Sequence, residues 1–143
     1  MIDQVVLLDT GPIVALLHNG DSQHTQCVEE AKRLKKRQLL TTWPVLTEAA
    51  WLLRARPKAV GELLTSVARG SFQVAELEPI AAASWIAAFF NRYHDREPQL
   101  ADASLLYIAE RDEIETVFTL DERDFIVYRT NSGKALKLLP KKR

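Results

Sequence analysis

Apolar positions along the chain alternate between short unbroken runs and helical spacing, and that alternation predicts an α/β order. Residues 4–8 (QVVLL) form a β-branched and leucine-rich run with no polar alternation, as in a strand buried on both faces of a parallel sheet, and therefore a central one. Pro12 suits the first turn of a helix, which puts GPIVALLH in a short helix; Asp21 or Ser22 can then cap a longer one through QHTQCVEEAKRLKKR. LLTT, residues 39–42, reads as a second brief strand. Thr42 can cap a third helix with Pro44 in its first turn, running through VLTEAAWLLRA, and Pro57 interrupts it before KAVGELLTSVARG, which ends near Gly70. FQVAEL, residues 72–77, alternates like a strand. Pro79 opens a helix through IAAASWIAAFFNRYH and Pro98 another through QLADASLLYIAERD; TVFTL, residues 116–120, is a further apolar strand, and KALKLL is expected as a last edge strand.

Strands alternating with helices imply an α/β sandwich around a mostly parallel sheet with right-handed crossovers. No linker or repeat divides the 143 residues, and 47% hydrophobic content is enough for one core, so a single domain over residues 1–143 is expected. The lone Cys27 excludes an internal disulfide framework and makes a cytoplasmic setting the expectation. No apolar run approaches the roughly 18 residues of a membrane span, and the N-terminus lacks a leader pattern. Charge balances at 19 basic against 19 acidic residues, so net charge makes no case for nucleic acid. Its distribution is uneven. Lys32, Arg33, Lys35, Lys36 and Arg37 crowd one segment, Arg54, Arg56 and Lys58 another, and Lys141, Lys142 and Arg143 end the tail; each group reads equally as a solvated face or as phosphate contacts.

In parallel sheets ligands gather at the carboxyl ends of strands, and the acids of this chain fall there. Asp9 follows the first strand and Asp121 follows TVFTL, so parallel strands bring both to one edge. Glu48 has Val45 at i−3 and Leu52 at i+4, and Asp102 has Leu105 and Leu106 at i+3 and i+4, which sets both carboxylates on or beside apolar helix faces. A charge there is costly unless paired or bound to a cation, and no basic partner is evident beside them.

Each acid also has a plainer role: Asp9 as a helix cap, Glu48 and Asp102 as favourable charges near helix N-termini, Asp121 as a turn residue in LDERDF. Their joint placement favours a shared one. Two carboxylates about 4 Å apart repel by about 4 kcal/mol at an effective dielectric of 20, and a hard cation such as Mg²⁺ removes that penalty while favouring phosphate oxygens as further ligands. Such a site points to metal-assisted phosphodiester hydrolysis. Thr10 and Thr119 flank the acids with hydroxyls that can orient a carboxylate or a water, or equally cap a helix or fill a strand. His18, His24 and His94 lack zinc-ligand spacing, and His24 is expected to help begin its helix. Trp43, Trp51 and Trp85 fall within helical apolar patterns and are expected in the core.

LLDTGPIVALL, TTWPVLTEAAWLL, LADASLLYIAER and VFTLDERDF together resemble the PIN-domain nucleases, and among them the VapC-type toxins of toxin–antitoxin pairs. The resemblance spans nearly the whole chain in order, and Asp9, Glu48, Asp102 and Asp121 fall on the family's acidic positions. It implies a three-layer α/β/α sandwich with a parallel sheet of about five strands, Mg²⁺ or Mn²⁺ dependence, cleavage of RNA, a homodimer and a small antitoxin partner. LDERDF offers both Asp121 and Asp124 near the fourth position; the Thr-x-Asp arrangement favours Asp121 and leaves Asp124 as a supporting or substitute ligand. A free-standing RNA-processing nuclease and a non-catalytic RNA- or protein-binding module are the alternatives. A haloacid-dehalogenase-like phosphatase fits poorly, because Gly11 stands where that family needs a second aspartate.

Overall fold

The first apolar run becomes strand β1 (Val5–Leu8), in which Val6, Leu7 and Leu8 are removed from solvent. The computed structural model describes residues 4–141, so Lys142 and Arg143 of the basic tail lie outside the described residues. Along the chain follow α1 (Thr10–Leu17), α2 (His24–Arg33), β2 (Gln38–Thr41), α3 (Trp43–Leu52), α4 (Pro57–Ala68), β3 (Gln73–Val74), α5 (Pro79–Arg92), α6 (Leu100–Arg111), β4 (Thr116–Phe118), α7 (Glu122–Phe125) and β5 (Lys137–Leu139). A single 3-10 turn, His94–Arg96, links α5 to α6.

Every strand pairing is parallel, and the order across the five-stranded sheet is β3-β2-β1-β4-β5. β1 is thus the central strand, as its unbroken apolar run implies. The chain builds outward from β1 to β3, then returns to lay β4 on the other side of β1. That reversal makes the carboxyl ends of β1 and β4 the switch point, where the connections diverge and leave a crevice. Helices cover both faces of the sheet, completing the α/β/α sandwich.

Local chemistry sets the helix ends. The Thr42 hydroxyl accepts from the Val45 amide at 3.4 Å to cap α3. Gly70, at φ +77°, closes α4 in a Schellman arrangement, with its N–H donating to Val67 O and that of Ser71 to Ser66 O. Other boundaries differ from the sequence pattern. The α2 helix stops at Arg33 rather than Arg37: Leu34 turns into the core, and exposed Lys35, Lys36 and Arg37 offer nothing to bury. Asp21 does not cap that helix; its Oδ1 accepts from the Gln23 amide at 2.8 Å in a turn just ahead of it. β3 keeps only Gln73 and Val74, which pair with Leu40 and Thr41 of the short β2. Pro98 precedes α6, which begins at Leu100, so Asp102 sits in the first turn. The helical turn α7 within LDERDF goes beyond the turn that segment suggests.

Candidate active site

Asp9 leaves β1 with its N–H donating to Phe118 O of β4 at 3.0 Å, which fixes its backbone across the switch point. It occupies the N-cap position of α1, yet its carboxylate makes no capping bond. Instead Oδ2 accepts from the Thr119 hydroxyl at 2.7 Å, and Oδ1 is buried with no hydrogen-bond partner among the described residues. Thr119 Oγ1 in turn accepts from the Asp121 amide at 2.9 Å, so one threonine joins the ends of β1 and β4. Of the roles open to Thr119, orienting a carboxylate is the one it takes. Thr10 is buried beside it with its hydroxyl unpartnered. Gly11 lets α1 approach this edge: a Cβ there would lie 3.2 Å from Leu120 Cβ.

Asp102 arrives from the opposite connection. α6 is buried on every side from Ala101 to Ala109, and Asp102 is 9% exposed with no hydrogen-bond or ion-pair partner among the described residues. Burial, reinforced by Asp9, Asp121 and Glu48, pushes its carboxyl up to about 8. Burial likewise raises Asp9 to about 6 against the opposing Thr119 hydrogen bond. Asp121 is raised too, first by burial; its Oδ1 accepts from the Asp124 amide at 3.1 Å and caps α7. Its turn role and its place among the acids coexist.

Asp9, Thr10, Glu48, Asp102, Asp121 and Asp124 line one open cleft of about 570 Å³. Within it, Asp102, Asp121 and Asp124 each offer a carboxylate oxygen, all within 4.8 Å of one another. Asp124, a secondary choice in the sequence, therefore belongs to the tightest group. Glu48 stands on the cleft wall, between the buried Val45 and the half-exposed Leu52. Oxygen-only donors, with Asp9 and Asp102 buried and unpaired with any cationic side chain among the described residues, fit a hard divalent ion. The histidines do not contribute: His24 ties α2 to α1 through Ala15 O at 2.6 Å, and none lines the cleft.

The sequence misses the cation at this site. Arg96, in the loop before α6, places Nη2 2.9 Å from Asp124 Oδ1. Its only sequence signal is its position a few residues ahead of Asp102. Glu97 and Gln99 join the cleft lining from the same loop. Tyr128 is also missed; its buried, unpartnered hydroxyl is shifted upward by burial and by Asp102, Asp124 and Asp121. The tryptophans divide. Trp85 packs in the core, stacking on Phe89 with its indole donating to Glu110 Oε2 at 2.6 Å. Trp43 and Trp51 are 56% and 62% exposed, so their helical spacing does not place them in the core.

No family model matches the chain. In sequence it is 26% identical over 140 residues to Ribonuclease VapC26 of Mycobacterium tuberculosis, covering 94% of this chain and all of that protein. In structure it is similar to the Mycobacterium tuberculosis VapC20, described as a sarcin-ricin loop cleaving toxin, with a TM-score of 0.74 and 19% identity over 82% of this chain and 90% of that one. The VapBC2 structure from Rickettsia felis, bound to promoter DNA, matches with a TM-score of 0.63 and 12% identity over 94% and 96% of the chains. The chain is VapC-like in sequence and in fold. The PIN-like sandwich and parallel sheet implied by its four motifs are therefore present. Among the described residues of this VapC-like chain, no helix is long and apolar enough to cross a membrane.

Proposed function

We propose that this VapC-like chain is a Mg²⁺- or Mn²⁺-dependent endoribonuclease, the toxin of a toxin–antitoxin pair working in the cytoplasm. Asp9, Glu48, Asp102 and Asp121 hold the metal and carry the reaction, with Thr10, Thr119 and Asp124 in support. The observation that carries this reading is the pair Asp9 and Asp102, buried at the sheet's switch point with their ionised forms disfavoured and no cationic partner among the described residues. A fold gains nothing from two such groups unless something else completes them. Ribonuclease and toxin are words carried by the similar VapC26 and VapC20, and VapBC2 supports a partner protein for this chain.

A divalent ion at this edge supplies electrophilic activation of a phosphoryl oxygen and a lowered pKa for water. The chain's own residues do the rest. Asp9 and Asp102 would hold such an ion through their ionised carboxylates, and the Thr119 hydroxyl holds the Asp9 carboxylate in one orientation. Hydrolysis forms a P–O bond to the water oxygen and breaks the bond to the departing ribose oxygen. The open cleft, bounded by Glu48 and Gln99, leaves room for a single strand. A homodimer fits the groove of Trp43, Pro44, Thr47, Trp51 and Leu100, which adjoins the cleft through Glu48 and Gln99 and exposes three large apolar side chains.

Cleavage of labelled RNA by purified protein tests the reading. Cleavage is expected only with Mg²⁺ or Mn²⁺, and Asp9→Asn is expected to abolish it with an unchanged circular dichroism spectrum. Chelator-resistant cleavage by that variant would sink the assignment.

A further inference from the structure

An RNA phosphate entering this cleft meets Asp9, Glu48, Glu97, Asp102, Asp121 and Asp124, and no lysine or arginine lines the cleft among the described residues. The guanidinium in direct contact with the acid group is that of Arg96, through Asp124. Its bonding is lopsided. Nη2 makes both hydrogen bonds, to Asp124 Oδ1 at 2.9 Å and to Arg123 O at 3.2 Å. Nε is buried without a partner, and Nη1 makes no bond among the described residues. An arginine kept only to hold a carboxylate would be expected to present two nitrogens to it in the bidentate fork. Arg96 spends one nitrogen and keeps the rest.

The backbone that carries the side chain is held in place. Its backbone N–H donates to Tyr93 O at 2.9 Å, and the next residue, Glu97, turns the chain at φ +51° ahead of Pro98. Arg96 and Asp124 are each about a third exposed, at 31% and 30%, so solvent and substrate reach the pair. Asp124 shares the 4.8 Å group with Asp102 and Asp121, which puts the guanidinium within the reach of one phosphodiester from the acids.

Building on the nuclease reading above, we propose that Arg96 is a phosphate ligand for the RNA backbone: parked on Asp124 in the free protein, it turns its unused donors to a non-bridging oxygen beside the acid cluster. The arrangement gives the anionic substrate a positive contact that the acid-lined cleft otherwise lacks, and Arg suits it better than Lys because the fork spans two phosphate oxygens.

The test is binding of a fluorescent single-stranded RNA decamer in Mg²⁺, in the Asp9→Asn background to stop turnover. Arg96→Ala is expected to weaken binding about five- to tenfold and to reduce the slope of log K against log salt by about 0.7, the loss of one phosphate contact. Arg96→Lys should keep the slope and recover part of the affinity. The deciding variant adds Asp124→Asn. If Arg96 touches phosphate, Arg96→Ala costs the same affinity and slope in that background; if it only neutralises Asp124, the cost disappears and the proposal is overturned. Unchanged affinity and slope in Arg96→Ala, with or without a lower melting temperature, overturns it equally. RNA binding that is absent from every variant and from the parent chain overturns the nuclease reading itself, and the subsite with it.

Discussion

The two ends of α6 treat carboxylates in opposite ways. At its C-terminal end Glu110 accepts from the Trp85 indole at 2.6 Å and from the Ser132 amide at 2.8 Å, and these bonds outweigh burial to hold it below its ordinary range. Nearby Glu78 is lowered by the Tyr107 hydroxyl at 2.8 Å, with Arg111 at 3.0 Å adding to it. At the N-terminal end Asp102 has no donor among the described residues and is raised to about 8. An acid that serves the fold is supplied with donors. Asp102 is largely buried at the cleft and given none among the described residues, the opposite of a carboxylate held in a structural hydrogen-bond network.

Exchanging charge for amide at each end should separate the two roles most sharply. Asp102→Asn is expected to lower RNA cleavage by at least about 10²-fold, while the metal-free protein gains stability at pH 8. Glu110→Gln should leave cleavage within about twofold and cost about 1–2 kcal/mol, because the Trp85 and Ser132 donors lose a charged acceptor. Cleavage assays paired with urea melts read both. Comparable losses of cleavage in the two variants would erase the contrast.

The next effect is in pH. Asp9 and Asp102 are raised in the folded state above their ordinary value of 3.8, so the folded chain binds more protons than the unfolded one. Burial penalises their ionised forms, so stability is highest below about pH 4 and falls as pH climbs through about 6 and then about 8. Thermal melts without metal should therefore fall across that window, by an amount on the order of a few kcal/mol. Mg²⁺ should flatten the fall by favouring the ionised carboxylates, and Asp102→Asn should remove its upper part. A flat profile in metal-free wild type would contradict the geometry.

What was legible in the sequence follows the same divide between local pattern and long-range contact. β1 could be read as central from four apolar residues in a row, and Asp9 and Asp121 as neighbours from the rule that parallel strands share an edge. Thr42 as a cap and Gly70 as a stop carry their own geometry. Arg96 could not be found that way, since its partner lies 28 positions away on a turn whose helical form was itself unseen. Trp43 and Trp51 misled for a related reason: helical spacing says that residues share a face, and only packing says whether that face is covered.

A smaller effect lies at Thr119, the donor to Asp9. Thr119→Val removes that donor, so the Asp9 carboxyl should rise further and the cleavage profile should move to higher pH, with metal affinity falling about 10- to 100-fold. Thr119→Ser should restore both. Mg²⁺ titration by calorimetry distinguishes this from a folding defect, which would lower the binding stoichiometry instead.

The mildest prediction concerns how Glu48 and Asp102 keep their relative positions. Thr42, at the head of α3, and Ser104, in α6, share a buried hydrogen bond of 2.7 Å, and Ser104 also bonds Ala101 O at 2.7 Å. Both hydroxyls are fully buried. The latch therefore joins the helix that carries Glu48 to the helix that carries Asp102. Ser104→Ala removes the bridge but leaves the Thr42 hydroxyl capping Val45, and should cost about 1 kcal/mol. Thr42→Ala loses bridge and cap together and should cost about 2 kcal/mol. Because α3 and α6 also pack against each other, with Val45, Ala49 and Leu105 all in the buried core, cleavage should fall only a few-fold in either variant. A larger loss in Ser104→Ala at unchanged melting temperature would mean that the spacing of the two acids, more than their charge, limits the reaction.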